Sequence, residues 1–114
     1  VDRRKMRQAI APNWVHSMDA TALRQFVVRA RQHGIKSFAL IHDSYGTVAA
    51  DVELMGRCLR QAFVEMYEQH DVLEEFRDEL LALVDDGLVD EIPPTPEKGE
   101  LDIHLVLESD FFFA

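Results

Sequence analysis

Apolar residues recur in the first third of the chain at the spacing of an amphipathic helix. Their intervals of three and four residues place them on one helical face. They are Leu23, Phe26, Val27 and Ala30. Ser17 suits the N-cap, Asp19 close behind it favours the helix dipole, and Gly34 is placed to end the helix. The pattern therefore predicts a first helix that starts at Ser17, after a basic tail at 1–9.

A short apolar run at 38–41 ends abruptly in a histidine and Asp43. Four apolar residues before a break are the length of a buried strand rather than of a helix. Residues 44–46 supply turn chemistry, and 47–50 are interpreted as the returning strand. Segment 37–50 is therefore predicted to form a β-hairpin that presents Asp43 at its tip.

Two further helices are predicted in the rest of the chain. Asp51 suits the cap of the second, and Asp71 opens the third with capping-box spacing to Glu74. The second carries an apolar stripe made of Val52, Met55, Leu59, Phe63 and Met66. The third directs four residues inward, namely Leu73, Phe76, Leu80 and Leu83. Its acidic residues are expected to form a solvated face: Glu74, Glu75, Asp78 and Glu79.

The end of the chain has a less regular pattern. Three prolines within 93–96 predict an extended linker, because proline lacks an N–H donor and restricts its neighbour. The segment 101–108 fits a strand by the alternation of its apolar residues, and a helix by the spacing of Leu101 and Leu105. The predicted fold class is α+β, with helices packed on a small antiparallel β-hairpin in a single domain.

Charge is distributed unevenly along the 114 residues. The formal net charge is −9, but residues 1–36 carry +6 and residues 37–114 carry −15. The acidic part would repel a phosphate backbone, so any contact with nucleic acid is expected in the N-terminal third. This balance argues against a free-standing nucleic-acid-binding domain. It is compatible with a catalytic piece whose carboxylates hold divalent cations.

Other site classes find little support in the sequence. The single cysteine, Cys58, lies in a helical pattern and is expected to be a small core or boundary residue in a reducing compartment. A zinc site built on His42 and Asp43 is disfavoured, because zinc needs three or four ligands and no matching His/Cys spacing exists. No apolar run approaches the roughly 18 residues that suggest a membrane span.

Taken alone, Asp43 is most simply a structural turn aspartate. Its context changes this interpretation, because four segments in this order and spacing closely resemble the C-terminal end of the single-subunit DNA-dependent RNA polymerases of bacteriophages, which are related to the mitochondrial enzymes. These segments are Ile10–Ser17, Phe38–Thr47, Tyr67–Glu68 followed by Asp71–Leu73, and Leu107–Ala114. The resemblance covers nearly the whole chain from Ile10 onward.

The resemblance implies that 1–114 is a C-terminal palm-region fragment, with the motif C hairpin at 37–50 and a C-terminal tail at 101–114. In that family the motif C aspartate binds catalytic Mg²⁺ for nucleotidyl transfer, and this role carries over to Asp43. The second carboxylate comes from an earlier motif that this chain lacks, so the chain alone is expected to be catalytically incomplete. The resemblance also favours a short helix within 101–108.

Two histidines are candidate site residues. His42 precedes Asp43, so along a strand its side chain is expected on the opposite face. It would support the hairpin or the primer end, or form hydrogen bonds in the core. His16 is a surface histidine by its sequence, but the resemblance implies that it contacts nucleic acid through the minor groove at the active site.

The implied partners are DNA template, RNA product, nucleoside triphosphates and the remainder of the polymerase chain, in the cytoplasm of a bacterial host if the chain is phage-encoded. The three phenylalanines of Phe111–Ala114 would pack near the active site, or drive self-association of a fragment. The main alternative is a non-catalytic polymerase remnant that acts as a protein interaction module. A metal-dependent hydrolase is the weakest option, because it needs more ligands than the sequence offers.

Overall fold

The computed structural model describes residues 2–112, which form helices and one antiparallel β-hairpin, as the α+β class requires. The α-helices are α1 (Arg3–Gln32), α2 (Val52–Gln69), α3 (Val72–Leu83) and α4 (Leu105–Glu108), and the strands are β1 (Ala39–Ile41) and β2 (Ser44–Gly46). Single 3₁₀ segments occupy Ala49–Asp51 and Asp86–Glu91. The chain divides into two compact units, and the boundary between them falls within α2, between Phe63 and Val64. In residues 2–112, no helix has both the length and the apolar character needed to cross a membrane.

The first helix is longer than its apolar pattern predicts. It begins at Arg3, and the Asp2 side chain caps it by accepting two backbone N–H groups at 3.0 and 3.2 Å. The predicted start at Ser17 is therefore wrong, and the predicted tail at 1–9 is helical from Arg3 onward. Ser17 lies inside the helix and donates its hydroxyl to the Trp14 carbonyl at 2.7 Å. The early turns escaped prediction because their residues are exposed on all sides, so no apolar stripe marks them.

The predicted end of this helix is confirmed. Gly34 has φ +96°, in the left-handed region that glycine tolerates best. Its N–H bonds to the Arg31 carbonyl at 3.1 Å, and the Ile35 N–H bonds to the Ala30 carbonyl at 3.0 Å. This pair of bonds is a Schellman motif, which turns the chain back so that Ile35 becomes buried.

One buried phenylalanine attaches the hairpin to α1. The Phe26 side chain is 0% exposed and packs edge-to-face against Phe38, with ring centroids 6.1 Å apart, and against Tyr45, at 5.2 Å. Phe38 precedes β1 and Tyr45 lies on β2, so a single ring contacts both arms of the hairpin. The other buried residues of this unit are Ala30, Ile35, Cys58, Leu59 and Ala62. The prediction of a small core cysteine at Cys58 is thus confirmed.

The turn of the hairpin comes earlier than predicted. β1 and β2 pair antiparallel with Leu40 opposite Tyr45 and Ile41 opposite Ser44, which leaves a two-residue turn. The predicted turn at 44–46 and the returning strand at 47–50 are wrong. Residues 44–46 form the strand because the Tyr45 ring must face α1 to reach its aromatic partner.

The apolar stripe of α2 is predicted correctly at two buried positions, the middle members of the α3 stripe are only half-buried, and three predicted members are exposed. Leu59 and Met66 are 7% and 2% exposed. In contrast, Val52, Leu73 and Leu83 are 50%, 41% and 83% exposed. Each of these three lies within two residues of a helix end, where no described element covers the stripe.

Helix α3 begins at its predicted cap. Asp71 accepts the Glu74 N–H at 3.2 Å, and the Lys98 ammonium lies 2.6 Å from the second carboxylate oxygen of Asp71. The hydrogen bonds from Lys98 and from the Glu74 amide lower the pKa of Asp71 below its ordinary value. The charge of Asp71 is therefore held in place at the helix N-terminus, where it favours the dipole.

The proline-rich segment has no helix or strand and is tied to α3, and its extended conformation stays a prediction. The Arg77 Nε donates to the Pro93 carbonyl at 3.1 Å, and the Thr95 hydroxyl donates to Glu74 at 2.6 Å. Glu74 also accepts from Arg77 at 3.3 Å and is half-buried, so it belongs only in part to the predicted solvated face. The other members of that predicted face, Glu75, Asp78 and Glu79, are exposed. Beyond the linker, the predicted short helix is confirmed as α4.

Replacing Gly34 by alanine is expected to destabilise the protein by roughly 1–2 kcal/mol, because an L-residue is strained at this φ. Gly87→Ala is the matched control. A Cβ would meet open space at both positions, and only Gly34 has a positive φ. Urea denaturation followed by circular dichroism measures the difference, and equal midpoints for the two variants would contradict this account.

Candidate active site

The hairpin turn consists of His42 and Asp43 alone. His42 has φ +53°, which is uncommon for a residue with a Cβ, while Asp43 keeps a negative φ. A positive φ at only the first of two central residues is the pattern of a type II′ turn, where glycine is preferred. The backbone at His42 is therefore strained, at a cost of order 1–3 kcal/mol, and the paired strands on either side hold it.

The strained turn opens onto a cavity of about 670 Å³ that also includes one face of α1. The cavity brings together all three residues that the sequence singled out, His16, His42 and Asp43. His16 comes from the middle of α1, 26 residues before the turn. Because Phe26 fixes the hairpin on the same helix, residues distant in sequence face one space.

The prediction that His42 faces away from Asp43 is wrong. It assumed that both residues continue a strand, in which neighbouring side chains alternate. Both instead occupy the turn, where the alternation is broken, and both line the cavity. A core position for His42 is also wrong, since the residue is exposed.

The cavity contains a second carboxylate, that of Asp19. The sequence pattern connected Asp19 only with a helix start at Ser17. Since α1 begins at Arg3, Asp19 lies in the middle of the helix and has no such role. Its spacing of three residues from His16 and four from Leu23 places all three on one face, and this spacing was the available clue.

Tyr45 shows the combined negative charge of this site. Burial raises the pKa of its phenol above the ordinary value of 10.0, and the charges of Asp19 and Asp43 raise it further. Both carboxylates therefore act on one hydroxyl group. The site has the negative potential that a cation would require.

The cavity provides two carboxylates as oxygen ligands, those of Asp19 and Asp43, which is only part of a metal ion's ligand set. Within residues 2–112, no group of three or more His, Cys, Asp or Glu side chains is arranged to hold a metal ion. The donor set suits Mg²⁺, which prefers carboxylate oxygens and retains waters and substrate phosphates as its remaining ligands. Zinc would require a fuller set of protein ligands.

Known sequences resemble this chain over most of its length. Residues 1–92 match the family described as DNA-dependent RNA polymerase. The chain belongs to this family. The T7 RNA polymerase of Escherichia phage T7 is 44% identical over 115 aligned residues, which cover 100% of this chain and 13% of the phage protein.

Plant members of the polymerase family are similarly related. The chloroplastic DNA-directed RNA polymerase 3 of Nicotiana sylvestris is 41% identical, with 99% of this chain and 11% of that protein covered. The DNA-directed RNA polymerase 1A of Nicotiana tabacum is 38% identical, with 96% of this chain and 68% of that protein covered. The chain thus spans about an eighth of the length of the phage polymerase that it matches.

The aromatic tail of this polymerase segment is described only in part. Phe111 is 81% exposed and Phe112 is half-buried. Phe113 and Ala114 lie outside the described residues. The packing of the complete tail near an active site, and its part in self-association, stay predictions.

The negative charge of the site predicts how Tyr45 titrates. In a Tyr67→Phe background Tyr45 is the only tyrosine, and its phenolate absorbance should appear at a pH above the ordinary value. Asp19→Asn and Asp43→Asn should each lower this titration midpoint, because each removes a negative charge that disfavours the phenolate. Glu53→Gln, the same charge change in the same unit, should leave it unchanged. A midpoint insensitive to both aspartates would refute the shared site.

The raised pKa of Tyr45 also predicts how the free energy of unfolding changes with pH. The folded pKa of Tyr45 is raised above the unfolded value, so the folded state favours the protonated phenol. This contribution to stability is fully present below the pKa of Tyr45 in the unfolded state. It is lost as the pH rises through the pKa of Tyr45 in the folded state. Chemical denaturation in the alkaline range should show less of this loss for Tyr45→Phe than for the parent.

Proposed function

We propose that the chain is the C-terminal palm portion of a DNA-dependent RNA polymerase and that Asp43 contributes a ligand for the Mg²⁺ of nucleotidyl transfer. The observation that carries the proposal is the cavity in which the hairpin tip, His42 and Asp43, faces His16 and Asp19 of α1. Membership of the polymerase family supplies the reaction class. The complete enzyme would use DNA template, RNA product and nucleoside triphosphates.

Asp43 suits a metal ligand by its position and its surroundings. It is exposed at the tip of a hairpin whose arms are anchored to α1, so the carboxylate is accessible on a fixed scaffold. Asp19 adds a second negative charge to the same cavity. Bound Mg²⁺ would activate the 3′-hydroxyl and stabilise the departing pyrophosphate.

The two histidines have different proposed roles. His42 sets the position of Asp43, because its strained backbone conformation defines the turn from which the carboxylate projects. His16 lies on α1 across the cavity and offers a hydrogen-bonding side chain to a base edge or sugar in the minor groove. His42 is thus a positioning residue, and His16 is a nucleic-acid contact.

The proposed partner within the enzyme is the remainder of the polymerase chain. The unit that bears the cavity exposes large apolar side chains that a larger assembly would cover. Met6 and Ile10 of α1 are 60% and 57% exposed, and Ile41 of β1 is 70% exposed. Ile41 also lies on a strand of a two-stranded sheet, and such a hairpin is at best marginally stable by itself. Contacts with further polymerase segments would bury both the side chains and the strand edge.

A hybrid enzyme tests the role of Asp43. The segment of T7 RNA polymerase that matches this chain is replaced by the chain, and Mg²⁺-dependent RNA synthesis is measured on a promoter template. The hybrid should be active. Asp43→Asn should lower its kcat by roughly a thousandfold, because a metal ligand contributes several kcal/mol in the transition state. His16→Ala should mainly shorten the lifetime of the nucleic-acid complex.

Asp90→Asn is the control, since Asp90 is an exposed aspartate outside the cavity. It should leave the rate of the hybrid unchanged. If Asp43→Asn retained the parental rate within about threefold, the proposed metal ligand would be wrong. A hybrid that folds and binds template but makes no RNA would favour the non-catalytic interaction module.

A further inference from the structure

Cations are paired differently in the two parts of the chain. In the acidic part, Arg57 pairs with Glu53 at 3.5 Å, Arg77 with Glu74, and Lys98 with Asp71. On α1, by contrast, six basic side chains form no ion pair within the part of the chain that the structure describes. They are Arg3, Arg4, Lys5, Arg7, Arg24 and Arg31. Among residues 2–112, these six cations are therefore available to bind an anion.

Two of these cations lie on one defined stripe of α1. Arg24 and Arg31 are seven residues apart, which is close to two helical turns, and Ser17 lies seven residues before Arg24. Asn13 continues the stripe one turn further toward the N-terminus. All four residues are exposed. We refer to Asn13, Ser17, Arg24 and Arg31 as the polar stripe.

The polar stripe runs past the cavity and away from it. None of its four members lines the cavity, but Ala20, which does, lies three residues after Ser17 and four before Arg24 and so borders the stripe. At 1.5 Å per residue, Arg24 lies about 12 Å and Arg31 about 22 Å along the helix axis from His16. The Nε of Arg24 donates to the Ala20 carbonyl at 3.1 Å, which leaves both terminal amino groups of the guanidinium available. The stripe thus extends from the cavity over a length of about six base pairs, at 3.4 Å each.

We propose that the polar stripe of α1 binds the phosphodiester backbone of the double helix whose end lies in the cavity. Arginine side chains bind phosphate oxygens well, and asparagine is a common donor to phosphates. The Ser17 hydroxyl already donates to the Trp14 carbonyl, so Ser17 only continues the stripe between Asn13 and Arg24. The stripe would hold the helix without regard to its sequence, because backbone contacts position a duplex and do not read its bases. This inference rests on the proposed polymerase function.

Salt dependence of binding tests the stripe in the chain itself. A fluorescent 20-base-pair RNA–DNA hybrid and a DNA duplex of the same sequence are titrated with the 114-residue chain between 20 and 200 mM KCl, in about equal logarithmic steps. Each arginine that contacts a phosphate contributes about one to the slope of log K against log salt. Arg24→Gln/Arg31→Gln should therefore reduce the slope by about two, equally for different sequences. A preference for the hybrid or the DNA duplex would identify which helix the stripe accepts.

Two controls separate phosphate contact from charge and from folding. Arg24→Lys/Arg31→Lys keeps the charges and should retain most of the slope. Arg57→Gln removes one exposed charge from the acidic part and should leave the slope unchanged. Circular dichroism checks that each variant keeps its helical content.

Two results would overturn the proposal. The first is a salt slope for Arg24→Gln/Arg31→Gln equal to that of the parent. The second is that the parent binds neither duplex at about 20 mM KCl, where the titration begins. If either result is found while the chimeric T7 polymerase still makes RNA in an Asp43-dependent way, the proposed role of the stripe is rejected and the polymerase function stands. Failure of both experiments would reject the polymerase function as well.

Discussion

Phe26 contacts both arms of the hairpin, and the candidate site depends on this packing. Two strands of three residues are at best marginally stable by themselves, so the hairpin needs a surface to pack on. Burial of one phenylalanine contributes about 1.5–3 kcal/mol, and each edge-to-face aromatic pair adds about 0.5–1.5 kcal/mol. Because Phe38 and Tyr45 hold opposite arms against one ring, the turn between them has one position relative to α1.

Local chemistry in the sequence predicted the features that depend on few residues. Gly34 ends α1 because only its own backbone must adopt a positive φ, and Asp71 caps α3 because its carboxylate reaches an amide three residues on. Asp43 was placed at a hairpin tip for a similar reason, since a short apolar run followed by polar residues predicts a turn. These features need no knowledge of distant contacts.

The missed features depend on distant contacts or leave no apolar pattern. The hairpin register is set by Tyr45 packing on Phe26, which lies 19 residues away, so turn propensity alone chose the wrong residues. The first turns of α1 bury almost nothing and therefore show no periodic stripe. Asp19 entered the site only when α1 was extended, because its side chain then shares a face with His16. Sequence predicted the members of the site better than their arrangement.

Metal-directed cleavage of the protein tests most directly whether the hairpin tip holds a divalent cation. Fe²⁺ replaces Mg²⁺ in the hybrid polymerase, ascorbate and peroxide generate hydroxyl radicals at the metal, and the cut peptides are mapped by mass spectrometry. Cleavage is predicted next to Asp43 and on the facing part of α1 around His16 and Asp19, with excess Mg²⁺ suppressing it and Asp43→Asn removing it. Cleavage elsewhere, or cleavage at the tip that persists without the Asp43 carboxylate, would contradict the account.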